Sequence, residues 1–156
     1  MTRALLISLS AIALLAACDQ APKGSDVHEL DAAVGAALGD PNTCVLLVEK
    51  GSAKVVYRFG GYGACNRVLP ACTDPAATLT AEALGKLAAA GDTRTISCDT
   101  GPAGESRVAW ATGPAPKSAG STSGDLAYAA LMVGPTVLPG REIAIRLEAA
   151  LVKGGM

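Results

Sequence analysis

The stretch TCVLLVEKGSAKVVYRF, residues 43–59, decides how this chain folds. Two runs rich in β-branched residues, Thr43 to Lys50 and Ala53 to Phe59, flank Gly51 and Ser52. That arrangement reads as a β-hairpin. In the second run Val55, Tyr57 and Phe59 alternate with Lys54, Val56 and Arg58. The first set is expected to face the core and the second to be largely wet.

Helical periodicity appears upstream of the hairpin. Val27, Leu30, Val34, Ala37 and Leu38 fall on one stripe, which predicts a helix from about Val27 to Leu38. Asp26 stands as its N-cap with Glu29 three residues on, a capping-box arrangement, and Gly39 is placed to end it. Downstream lies GGYGACNRVLPACTDPAAT, residues 60–78, a Gly- and Pro-rich loop with two cysteines. Loops of this length need stapling or serve a site. A second helix is expected over about Ala81 to Ala90, capped by Thr80, with a Leu79 to Leu84 staple and Gly91 at its exit. Leu84, Leu87 and Ala88 are its inward positions.

Thr93 to Asp99 and Ser106 to Thr112 read as strands joined by a turn at Thr100 to Glu105. Gly113 to Asp125 is a polar low-complexity loop, and Leu126 to Gly134 an apolar strand. The last helix is expected from Arg141 to Lys153, with Ile143, Leu147, Ala150 and Leu151 buried. Glu142 and Arg146 sit four apart on it in the favourable order. The predicted order is helix, two strands, helix, three strands, helix. It implies a single α+β domain in which about three helices cover a five-stranded, mostly antiparallel sheet. This order resembles the roadblock and profilin-like group, small modules used for dimerisation and sensing. The likeness is of topology over most of residues 26–153, and it implies no activity by itself.

The chain begins MTRALLISLSAIALLAAC. Arg3 precedes an uncharged apolar run from Ala4 to Leu15, the n-region and h-region of a secretory signal. The run is short for a membrane-spanning helix, which needs roughly 20 residues. Leu15, Ala16, Ala17 and Cys18 resemble the lipobox of bacterial lipoproteins. The resemblance implies removal of residues 1–17, acylation of Cys18 (palmitate among the chains), and a domain held in the periplasm by a membrane anchor. An ordinary secretory signal cut near Ala17 is the alternative. Residues 18–25 then form a lipidated tether and residues 26–156 the domain. Asp19 follows the lipobox cysteine, which in enteric bacteria favours the inner membrane.

Cysteine parity bears on the same reading. Of five cysteines, assigning Cys18 to lipid leaves Cys44, Cys65, Cys72 and Cys98, an even number suited to two disulfides in an oxidising compartment. The hairpin brings the start of its first strand toward the end of its second. This favours Cys44 with Cys65, and leaves Cys72 to clasp the second helix to the following strand through Cys98. Cys65 with Cys72 and Cys44 with Cys98 is the competing arrangement. Each closed loop would contribute roughly 3 kcal/mol on the chain-entropy estimate. A zinc site is disfavoured because no two of these cysteines are separated by the two to four residues of a zinc knuckle.

Composition narrows the function. Without residues 1–17 the chain keeps 139 of its 156 residues, enough for one core. Charge is nearly balanced, 13 basic against 14 acidic residues overall, with no basic cluster to bind nucleic acid. His28, the only histidine, sits at a helix start without a sequence-visible partner and reads as a solvated residue. Asp74, Glu82, Asp92 and Asp99 are scattered carboxylates without a readable pairing. The Gly60, Gly61, Gly63 run lacks the lysine and hydroxyl residue of a phosphate loop. No catalytic, cofactor or metal residue is assigned. Tyr57, Phe59 and Tyr62 lie within six residues, and Tyr62 alone is expected to be exposed, a candidate interaction residue. The expectation is a lipid-anchored domain that meets an envelope protein partner or a second copy of itself. A periplasmic ligand-sensing module is the alternative, and an enzyme the least favoured reading.

Overall fold

The computed structural model describes residues 22, 24–117 and 125–156. Its elements in chain order are α1 (Val27–Leu38), β1 (Thr43–Glu49), β2 (Val55–Phe59), α2 (Tyr62–Cys65), β3 (Leu69–Pro70), β4 (Thr78–Leu79), α3 (Ala81–Ala89), β5 (Arg94–Thr100), β6 (Ser106–Pro114), β7 (Leu126–Gly134) and α4 (Gly140–Lys153), with a 3-10 turn at Pro102–Gly104. Five strands form one antiparallel sheet in the order β2-β1-β7-β6-β5, and β3 pairs with β4 in a separate small ladder.

The central strands are apolar at consecutive positions because both faces of the sheet are covered. Along β7, Leu126, Tyr128, Ala130 and Met132 join a core with α1 and α4, while Ala127, Ala129, Leu131 and Val133 join a second core with α3. β1 divides likewise, Val45 and Leu47 on the first side and Cys44, Leu46 and Val48 on the second. The inward stripe of α4, Ile143, Leu147, Ala150 and Leu151, is buried as the helical period requires. On α3, Leu84 and Ala88 are buried while Leu87 is only half-buried.

One cross-strand row anchors the first layer. Tyr57 on β2 opposes Leu47 on β1, which opposes Tyr128 on β7, which opposes Gly113 on β6. The Tyr57 hydroxyl donates to Asp31 of α1 at 2.8 Å, and the Tyr128 hydroxyl donates to Glu148 of α4 at 2.8 Å. Burial and the neighbouring carboxylate push both phenols well above their ordinary pKa. Each helix is thereby bonded to the sheet through a neutral tyrosine.

Several local expectations are corrected. A register shift between Leu47 and Val48 turns Val55 toward the α3 layer, whereas Val56, Tyr57 and Phe59 meet the other layer, so Val55 does not share the face of Tyr57. Asp26 caps α1 by accepting from the His28 amide at 2.7 Å, not from Glu29. The loop after β2 contains the one-turn helix α2 and the β3–β4 ladder, so the described residues hold the three expected helices and this short addition. Gly113 and Pro114 extend β6 instead of opening the polar loop.

Strand directions define two ends of the sheet. Thr43, Phe59, Thr100, Ser106 and Gly134 lie at one end, and Glu49, Val55, Arg94, Pro114 and Leu126 at the other. The last turn of α1 is at the first end, where the Thr43 hydroxyl donates to the Leu38 carbonyl at 3.0 Å. Its first turn is therefore at the opposite end, beside the C-terminal residues. There the Ser25 hydroxyl donates to the Gly155 carbonyl at 3.4 Å.

Candidate functional site

Four cysteines converge on the end of the sheet where β2 finishes. Cys44 is bonded to Cys65, with Cα atoms 5.1 Å apart, and Cys72 to Cys98, with Cα atoms 5.4 Å apart. These are the pairings favoured from the hairpin geometry, and the competing arrangement is excluded. Their surroundings differ. Cys44 and Cys65 are buried in the α3-side core, whereas Cys72 and Cys98 are half-exposed.

The first staple positions Tyr62. β2 ends at Phe59, and Gly60 turns the chain with φ +101 so closely over β1 that a Cβ there would meet the Thr43 carbonyl oxygen at 2.2 Å. Only glycine fits that approach. The chain then forms α2, whose last residue, Cys65, is tied to the start of β1. Tyr62, one turn earlier, is left 84% exposed, as the sequence led one to expect. Val68, 64% exposed, follows on the same excursion and was not singled out from sequence.

The second staple builds a cleft. Residues 69–79 form a finger, with Leu69 opposite Leu79 and Pro70 opposite Thr78, and the Pro70 carbonyl accepts the Trp110 indole N–H at 2.8 Å. Trp110 is buried, so this bond fixes the root of the finger to the sheet. At the tip, the Asp74 carboxylate accepts the Ala76 amide at 2.8 Å. Between the tip and the end of β5 opens a cleft of about 440 Å³, lined by Pro70, Cys72, Thr73, Asp74, Pro75, Cys98, Asp99, Thr100 and Gly101. The favoured Cys72–Cys98 pairing did not by itself disclose the cleft, because its walls also depend on the finger's fold and on the Trp110 bond to Pro70.

The carboxylates considered for acid–base chemistry are divided among separate partners. Asp99 accepts from Arg107 at 2.9 Å, and Glu82 pairs with Lys86 at 2.9 Å. Asp92 accepts from Arg94 Nε at 2.6 Å and from the Thr112 hydroxyl at 3.0 Å. The Arg94 hydrogen bond holds Asp92 below the usual carboxylate range against a smaller opposing effect of burial. Asp74 and Asp99 both line the cleft, but Asp74 is engaged with its own turn and Asp99 with Arg107. His28 is exposed on the first turn of α1, at the end of the sheet away from the cleft. Cys18 and Asp19 lie outside the described residues, as does most of the Gly113 to Asp125 loop. No helix among the described residues is long and apolar enough to cross a membrane. No protein-family model matches this chain, and neither the curated proteins nor the solved structures provide a match to it.

Proposed function

We propose that this chain is a bacterial envelope lipoprotein, anchored through acylated Cys18, whose stapled domain serves protein–protein interaction. The observation that carries the reading is cysteine pairing. Cys44, Cys65, Cys72 and Cys98 are bonded among themselves, which accounts for every cysteine except Cys18, the one that closes the LAAC segment. An anchor gives that fifth sulfur a role. Topology supports the same reading: Ser25 enters α1 at one end of the sheet, while Tyr62, Val68 and the finger project from the other, a strand length or roughly 20 Å away. A short tether at Ser25 directs the stapled end away from the bilayer, where a partner can reach it.

The ligand-sensing alternative expects a concave apolar cavity against the sheet. Among the described residues, the cleft beside Cys72 lies at the end of the sheet with two carboxylates on its border, and helices cover both sheet faces. Membrane fractionation tests the anchor: Cys18→Ser is expected to move the protein from the membrane to the soluble fraction, and unchanged membrane association defeats it. In the same membranes, a photoreactive side chain at position 62 is expected to yield a discrete cross-linked species that one at position 28 does not. Identical yields from both positions defeat the assignment of the stapled end as the interaction surface.

A further inference from the structure

We infer that Cys72–Cys98 is a site of reversible thiol–disulfide exchange, reducible in the folded protein by a dithiol, while Cys44–Cys65 is structural and inert. Three observations carry this. Access is the first: both sulfur-bearing residues are half-exposed and line an open cleft of about 440 Å³, space enough for an attacking thiolate. Cys44 and Cys65, by contrast, are 0% and 3% exposed, beneath the residues of the α3-side core. Exchange needs a thiolate to reach a sulfur, so burial protects one bond and leaves the other open.

The second observation is backbone conformation. Cys72 has φ +62, in the left-handed region that a residue with a Cβ rarely adopts unless its surroundings impose it. Cys72 holds it between the β3–β4 ladder and the tip turn while cross-linked to β5, so cleavage of the bond removes one of the constraints acting on that residue. The third is mechanical. The finger's root is held independently of the disulfide by buried Leu69 and Ala71, the Ala71 amide to the Ala77 carbonyl at 2.9 Å, and the Trp110 bond to Pro70. Reduction therefore frees the tip, residues 72–75, and opens the cleft without unfolding the sheet.

The reaction balances with a dithiol as the reductant. Its thiolate attacks one sulfur of the pair, forming a mixed disulfide and releasing the other cysteine as a thiolate that takes up a proton. The reagent's second thiol then resolves the mixed disulfide. Two thiols remain on the protein and one disulfide on the reagent, a two-electron exchange. None of this depends on the Cys18 anchor.

The test uses the folded, oxidised protein with dithiothreitol under native conditions, quenched with N-ethylmaleimide at intervals and mapped by peptide mass. Cys72 and Cys98 are expected to be labelled together at least about tenfold faster than Cys44 and Cys65. Emission from Trp110, the sole tryptophan, is expected to stay that of a buried indole during the fast phase. Equal rates for the two pairs, or labelling that begins only as Trp110 emission shifts to the red, overturns the inference. Hydrogen exchange on the selectively reduced protein tests the opening: the Ala76 and Ala77 amides are expected to lose protection while β6 and β7 keep theirs. Unchanged protection at Ala76 and Ala77 overturns the release of the tip.

Discussion

Replacing Gly113 by alanine is expected to destabilise the domain, although a glycine-to-alanine change in a strand ordinarily favours folding by about 0.4–1 kcal/mol. A Cβ at Gly113 would stand 2.6 Å from the Tyr128 hydroxyl oxygen, 2.8 Å from its Cζ and 2.9 Å from its Cε1. The obstacle is a side chain, so the outcome turns on whether Tyr128 can move. It is 2% exposed, lies beside Leu47 in the cross-strand row, and is held by its hydrogen bond to Glu148. Displacing it loses a hydrogen bond to a charged acceptor, about 1.5–3 kcal/mol, and forces repacking at about 1–3 kcal/mol. Set against the glycine entropy gain, the net loss is about 1.5–5.5 kcal/mol. Urea unfolding of the disulfide-intact domain measures it. Tyr128→Leu supplies the control, since it costs stability alone but removes the atoms that the added methyl group would strike. In the double variant the Gly113→Ala penalty should disappear, a coupling of about 1.5 kcal/mol or more between the two sites. A Gly113→Ala protein within about 0.5 kcal/mol of wild type, or strictly additive single effects, refutes the steric account.

Alkaline and acidic limbs of stability report on two other features. Tyr57 and Tyr128 have raised pKa values in the fold, so their contribution is fully present below the unfolded phenol value near 10 and declines as pH rises above it. Each is expected to steepen the fall in unfolding free energy by about 1.4 kcal/mol per pH unit there, and the Tyr57→Phe, Tyr128→Phe double variant to flatten it. Equal slopes for wild type and the double variant between about pH 10 and 11.5 would count against the buried, neutral phenols. Asp92 has a lowered pKa, first through its hydrogen bond from Arg94, so its contribution is present above the unfolded carboxylate value near 4 and is lost as pH falls below it. Asp92→Asn is expected to cost about 1 kcal/mol at pH 7 and less near pH 2, since the Asp92 and Arg94 side chains are 26% and 31% exposed. The same penalty at both pH values would show that packing, not charge, is at work.

What could be read from the residues follows the reach of each interaction. α1 and β7 match their expected bounds, Val27–Leu38 and Leu126–Gly134, because a 3.6-residue stripe and an unbroken apolar run are local signals. The disulfide pairing was readable too, since hairpin closure brings Cys44 near the chain beyond Phe59. The bulge between Leu47 and Val48 was not, because it arises from a mismatch between strands and not from any residue type in β2. Nor did composition disclose that Gly113 clears space for a phenol across the sheet. The cleft lay furthest out of reach, for it joins segments 26 residues apart through a bond whose consequence is visible only once β5 is placed at the sheet edge.

Placement of the two staples says what they are for. Both layers of the domain are closed by apolar packing, with α1 and α4 on one face and α3 on the other, and no disulfide joins any of these helices to the other layer. The cross-links instead bracket the excursion between β2 and α3, in which Ala64, Cys65, Leu69 and Ala71 are the buried apolar residues. So few buried side chains cannot offset the conformational entropy of a segment this long, about 1–2 kcal/mol for each ordered residue. The stabilisation of roughly 3 kcal/mol from each closed loop therefore falls where the core supplies least. Two disulfides at one end of a domain with its own core secure the shape of that end, and the residues so held include exposed Tyr62 and the walls of the Cys72 cleft.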